Sequence, residues 1–220
     1  MPNEADTAEP VRKLLQGYGR TYAQEAGIRL ADQASPLYQL LVLATLLSTR
    51  ISAGVAVAAA RELFATGYRT PAAMSAASWQ DRVDALGRGH YRRYDERTAT
   101  MLGDGAELLA GKWHGDLRKL RDDAGGDAGG IASRLTEFPG VGPTGASIFL
   151  REVQEVWPGV APYVDAKVTS GAHRVRLPAD RESLAGLLEA SGQPARLAAA
   201  LVRVSLSQRA ASEVTASVRD

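Results

Sequence analysis

Leu135-Thr136-Glu137-Phe138-Pro139-Gly140-Val141-Gly142-Pro143-Thr144-Gly145-Ala146 is the stretch on which this chain turns. Upstream, Ile131 and Leu135 stand four residues apart, on one helical face. Downstream, Ala146, Phe149, Leu150 and Val153 recur at steps of three and four. Pro139 disfavours helical geometry at Phe138, so the first helix should stop there. Gly140 and Gly142 permit positive φ and carry no side chain to hold a ligand away. Pro143 suits the first position of the next helix, where its missing N–H costs nothing. The pattern reads as helix, hairpin, helix, with bare backbone N–H groups at the second helix start. Unpaired N–H groups and the positive end of a helix together suit phosphate. The plain alternative is a tight turn between two packed helices.

Working outward, the segments on either side are helical. Residues 8–27 place Val11, Leu14, Leu15, Tyr18, Tyr22 and Ala26 at helical spacing. Ser35-Pro36 has the form of an N-cap and first turn. The run from Leu37 to Leu47 is apolar nearly all round, which predicts a central buried helix ending in Leu46-Leu47-Ser48-Thr49-Arg50. A helix over 53–65 follows, then one opening at Thr70-Pro71 and carrying its apolar pattern through Trp79, Val83 and Leu86. Trp79 reads as a core residue. Gly87 to Arg97 is the most basic stretch, with Arg88, Arg92, Arg93 and Arg97 around Tyr91 and Tyr94. Arginines interleaved with aromatics suit phosphate contact plus base stacking or wedging, and they equally suit a solvated helix start. Residues 98–109 read as helix, and the glycines of 123–130 as a flexible loop. Two helices close the chain, 181–191 and 194–207, before a polar tail at 209–220 that should fray.

Composition narrows the classes. A chain of 220 residues makes one large domain or two small lobes. Abundant Ala, Leu and Arg with few aromatics favours helices. The net charge of +1 means that any DNA affinity must come from a local patch. With no cysteine, disulfides and thiolate metal sites are excluded. His90, His114 and His173 share no ligand spacing, and no metal is expected. No apolar run reaches the roughly 18 residues that span a bilayer. The polar, acidic start is unlike a signal peptide. These features together predict a cytoplasmic protein, expected to be a monomer, with no membrane partner.

The hairpin string resembles that of the helix-hairpin-helix DNA glycosylases, most closely the endonuclease III-like branch. Leu135, Pro139, Gly140, Val141, Gly142 and Ala146 match that family's hairpin, and Phe138 stands in for its second leucine. Leu46, Leu47 and Ser48 match the end of its second helix, where Arg50 replaces a glutamine that meets DNA. Val164-Asp165 matches the place of its essential aspartate, 25 residues after Gly140. The resemblance implies an all-α, two-lobed glycosylase fold, with 35–156 as a central lobe holding the hairpin at 138–145. Residues 1–34 plus 160–208 would form the second lobe. It implies double-stranded DNA as partner, bound through Gly140, Val141, Gly142, Thr144, Gly145, Arg50, Arg92, Arg93 and Tyr91. It leaves room for a monovalent cation at the hairpin. The iron–sulfur cluster of many such proteins has no cysteine ligands here.

The family resemblance also bears on chemistry. A base is flipped out of the duplex before it can be attacked. A carboxylate then stabilises the positive charge that grows on the sugar, a role that would fall to Asp165. Asp165 is equally placed to be the N-cap of the helix from Ala166. The family lysine that forms an imine with the sugar falls on Thr144, whose hydroxyl cannot do so. A monofunctional glycosylase is the simplest expectation. A lyase using Lys167 is an alternative, although on a shared helix Lys167 and Asp165 stand about 200° apart. A non-catalytic DNA-lesion or DNA-structure binder is another, and a helical interaction module with a chance hairpin a third.

Overall fold

The structure, a computed structural model, describes residues 4–216. The described chain is all α. In order the helices are α1 (Glu4–Tyr18), α2 (Tyr22–Glu25), α3 (Ala34–Leu47), α4 (Ala53–Ala65), α5 (Pro71–Ala76), α6 (Trp79–Arg88) and α7 (Asp95–Trp113). They continue as α8 (Leu117–Asp123), α9 (Ala128–Leu135), α10 (Pro143–Val153), α11 (Ala166–Arg174), α12 (Arg181–Ala190), α13 (Pro194–Leu206) and α14 (Gln208–Ala216). They sort into two compact units. One runs from Tyr22 to Gly159; the other joins the residues up to Thr21 to those from Val160 onward.

In the unit of residues 22–159, α3 is the centre. Leu37, Leu40, Leu43, Ala44 and Leu46 are fully enclosed by α4, α8 and α10. An apolar run with no polar face has no other stable placement. The unit begins at Tyr22, not near residue 35, because the buried Glu152 carboxylate of α10 accepts the N–H groups of Tyr22 (3.1 Å) and Ala23 (2.9 Å). These are first-turn donors of α2, which its own helix cannot satisfy. α3 starts one residue before Ser35-Pro36, after Gln33, and the Ser35 hydroxyl donates to Arg69 O instead of capping.

The single helix expected from Thr70 onward is two. α5 ends at Ala76, and Ser78 opens α6 with a capping box: its Oγ accepts from Asp81 N (3.1 Å) while Asp81 accepts from Ser78 N (3.2 Å). The break turns Trp79 outward. It is 42% exposed, not core, with its indole N–H directed to Glu96 O and Thr100 Oγ1. The glycine-rich 123–130 stretch is also more ordered than its composition suggests. Asp127 caps α9 through Gly129 N (2.8 Å) and Gly130 N (3.0 Å), so both glycines lie in a helical first turn.

In the other unit, α13 is the centre, packed by α1, α11, α12 and α14. α11 and α13 approach so closely that a Cβ on Gly171 would stand 2.0 Å from Leu201 O. Of the frayed tail expected at 209–220, the part up to Ala216 is instead α14, and residues 217–220 lie outside the described residues. Ala210, Ala211 and Val214 bury one face of it, and Tyr18 of α1 donates to Glu213.

Arg82, just upstream of the basic stretch, is not on the surface. It is 9% exposed, and its guanidinium donates to Ala99 O (2.8 Å), Met74 O (3.0 Å) and Ala77 O (2.8 Å). It thereby satisfies the open carbonyl end of α5 and ties it to α7. Arg82→Ala is expected to destabilise the protein by about 3 kcal/mol or more, because three carbonyls lose a charged donor at once. Arg82→Lys should recover little of this, since one ammonium cannot reproduce the fork. Denaturant midpoints of the three proteins check this; a loss under 1 kcal/mol in Arg82→Ala would contradict it.

Candidate nucleic-acid interface

Between α9 and α10 the chain makes the turn that the sequence predicts, and its side chains alternate in direction. Phe138 and Val141 are buried at 3% and 4% exposure, whereas Gly140, Gly142, Pro143 and Thr144 are exposed. Phe138 stacks on Trp113 of α7, with centroids 5.7 Å apart and planes 20° from parallel. Val141 N donates to Phe138 O (3.0 Å), closing the turn. Glu137 pairs with Lys112 of α7 and, at 3.2 Å, with Arg134 of α9. Lys112 first, then Arg134, hold its carboxyl below the usual carboxylate range. Hydrophobic anchors and an ion pair thus fix a turn whose outer rim is main chain.

The two hairpin glycines are not alike. Gly140 has φ +82, and a Cβ there would lie 2.5 Å from Met101 Cε. Its lack of a side chain is required by the fold. Gly142 has φ −92, which any residue adopts, and nothing lies within 4 Å of the position a Cβ would take. The fold does not need glycine there, so its openness serves whatever approaches the rim. Gly142 is the N-cap of α10 and offers no side-chain acceptor to the first-turn N–H groups. Gly145 faces inward: a Cβ would meet Val141 Cγ1 at 3.2 Å and Ser48 Cβ at 3.5 Å. Its missing side chain lets α10 lie against the end of α3, so that Gly145 offers only its main chain at the first turn. Val141 likewise can offer only its main chain.

Beside the hairpin is an open cavity of about 260 Å³, lined by Ser48, Thr49, Arg50, Tyr94, Arg97, Thr98, Met101 and Gly140. It brings together the end of α3, the start of α7 and the hairpin. Arg50 is exposed, and among the described residues neither Arg50 nor Arg97 has an acidic partner. Arg92 and Arg93 are exposed as well, and Arg93 lies over the Tyr94 ring at 5.3 Å. Arg88, by contrast, is engaged by Glu62 (3.2 Å) and Thr66 (2.7 Å).

Tyr91 does not fit the wedge role. It is fully buried, its hydroxyl 2.9 Å from Thr49 Oγ1 and accepting from Thr98 Oγ1 at 3.3 Å. A tyrosine between arginines satisfies a surface pattern, but its ring fills the space between α3 and α7 and its hydroxyl joins them. Tyr94, Arg97 and Met101 line the cavity instead. Their three- and four-residue spacing on α7 was the available signal, because it sets them on one helical face.

Asp165 lies in the other unit and caps α11. Its Oδ1 accepts from Lys167 N (2.9 Å) and Val168 N (3.0 Å). The side chain is half-buried, and Lys167 is exposed. Among the described residues no group of three or more His, Asp or Glu could hold a metal ion, and the chain has no cysteine to bind a cluster.

No protein-family model matches the chain. No curated protein matches it either. Solved structures similar to it include a trapped endonuclease III–DNA covalent intermediate, an estranged-adenine complex. The TM-score is 0.44 at 22% identity, over 74% of this chain and 70% of that one.

Gly140→Ala is expected to cost about 1–2 kcal/mol, from the positive φ. Gly142→Ala should leave the unfolding midpoint unchanged within about 0.5 kcal/mol. Equal losses in the two variants would contradict the division of roles between the glycines.

Proposed function

We propose that this chain is a DNA base-excision glycosylase that flips a damaged or mismatched base and hydrolyses its N-glycosidic bond without cutting the strand. The observation that carries the DNA part is a juxtaposition within one unit. The uncapped start of α10, open at Gly142, adjoins a cavity bearing Arg50 and Arg97 without acidic partners. Main-chain N–H groups and free guanidinium groups are complementary to phosphate, and nothing in the pattern requires a particular sequence. Gly142→Leu should therefore weaken binding to all duplexes alike. A loss confined to one sequence would contradict a phosphate contact there.

The excision part rests on the resemblance at Val164-Asp165 and on the chemistry of a capped carboxylate. In this reading the C1′–N bond breaks with its electron pair leaving on the base, which takes up a proton. Water adds to C1′ and gives up a proton. The Asp165 carboxylate stabilises the positive charge on the sugar and orients the water. Capping fixes the aspartate in place: two backbone donors hold one oxygen, so the side chain is preorganised. Thr144, exposed at the family lysine position, offers a hydroxyl and no amine. That supports hydrolysis over imine chemistry.

A non-catalytic lesion-binding protein is the second reading. The same cap favours it, since helix capping alone accounts for an aspartate at this position.

The two are separated by incubating the protein with a panel of single-lesion duplexes and developing them with and without hot alkali. Strand breaks that appear only after alkali are expected. Breaks without alkali, together with borohydride trapping, would overturn the monofunctional reading and direct attention to Lys167. Release of no base from any lesion, with DNA binding intact, would favour the binder. Asp165→Asn is the informative variant, because asparagine caps a helix nearly as well and the fold persists while the charge goes. Its expected effect is a loss of base release of about 100-fold or more with DNA binding retained. Unchanged release would remove Asp165 from the mechanism.

A further inference from the structure

The cavity beside the hairpin has a chemistry more particular than phosphate binding requires. Of the residues that line it, none is acidic and two are arginines. Its aliphatic hydroxyls are already spent: Ser48 Oγ donates to Thr45 O (2.8 Å) and Thr49 Oγ1 to Leu46 O (2.8 Å). Thr98 Oγ1 donates to Tyr91. The side-chain donors that remain are the forks of Arg50 and Arg97 and the Tyr94 hydroxyl. Tyr94, with Arg93 over its ring, and Met101 supply an aromatic and an aliphatic wall. A volume of about 260 Å³ has room for a base.

We propose that this cavity takes an unpaired guanine from DNA held at the hairpin, with Arg50 and Arg97 donating to its O6 and N7 edge. The assignment rests on the DNA reading above and adds a base preference to it. Guanine presents two adjacent acceptors on that edge, the pattern that an arginine fork matches. Adenine presents an amino donor in place of O6, which would face a second donor. A phosphate would satisfy the arginines but would leave the tyrosine and methionine walls without a partner. The base must be out of the stack, because a cavity walled by side chains from three segments cannot close over a base still paired in a duplex.

The test uses the intact protein and duplexes that differ only in one bulged nucleotide: guanine, inosine, 7-deazaguanine, adenine, cytosine, thymine or an abasic site. Guanine and inosine, which share O6 and N7, should bind about tenfold more tightly than adenine. 7-Deazaguanine, which lacks N7, should lose most of that preference. Arg50→Lys and Arg97→Lys keep the charge and lose the fork, so the ratio of guanine to adenine affinity should fall towards one in each. Arg92→Ala removes an exposed cation outside the cavity. It should weaken all the duplexes together and leave the ratio as it was. Equal affinity for all four bulged bases would overturn the guanine assignment, as would equal affinity for guanine and the abasic site, or a ratio unchanged in both lysine variants. Those outcomes leave base excision standing. Failure to bind any of the duplexes would instead contradict the DNA reading itself.

Discussion

The hairpin can present bare main chain on its outer side because Phe138 and Val141 are buried on its inner side. That alternation is the constraint on which the candidate interface depends. Phe138 reaches the indole of Trp113, and Val141 packs beneath Gly145 where α10 meets the end of α3. Between them Gly140 must adopt positive φ, and Met101 occupies the space where its side chain would be. Were either apolar anchor lost, the turn would have no reason to hold its N–H groups outward. A loop at the surface would otherwise satisfy them within itself.

Arginine use divides along the same line. Arg82 and Arg88 are spent on the fold, one on three carbonyls and the other on Glu62 and Thr66. Arg50, Arg92 and Arg97 are left without acidic partners among the described residues. A chain whose total charge is +1 can therefore carry an uncompensated cationic surface at one place. Asp165 shows a comparable economy. As the cap of α11 it has one carboxylate oxygen held by two backbone donors, a placement compatible with the role proposed for it.

Helices with a continuous apolar face were legible in the sequence. α3, α4, α12 and α13 lie within a few residues of their expected bounds, and the hairpin opens at Pro143 as its proline and glycines indicate. Composition and periodicity mislead where capping sets an element's bounds. Ser78-x-x-Asp81 is a capping-box signal that divides the expected helix into α5 and α6 and takes Trp79 out of the core. Asp127, with Ala128 and two glycines behind it, is another cap, which starts the expected helix before the hairpin already at Ala128, inside the stretch expected to be loop. Ala210 and Val214, four apart, bury the face of α14 in a segment whose polar residues suggested fraying. Tyr91 illustrates a limit of another kind. Its neighbours in sequence are exposed arginines, and only the contacts with Thr49 and Thr98, far and near along the chain, place it inside. The site was legible as chemistry but not as a surface: that Arg97, Tyr94 and Met101 would join Arg50 and Gly140 follows from the packing of α7 against the hairpin.

The most direct measurement is amide hydrogen exchange, residue by residue, on the free protein and on the protein saturated with a lesion-free duplex. The account predicts that DNA slows exchange most at Gly142, Thr144 and Gly145, the rim and first turn of α10, and leaves the amides of α5 and α8 unchanged. Unaltered exchange at those three positions, with protection appearing elsewhere, would contradict the claim that the hairpin main chain is what the protein offers to DNA.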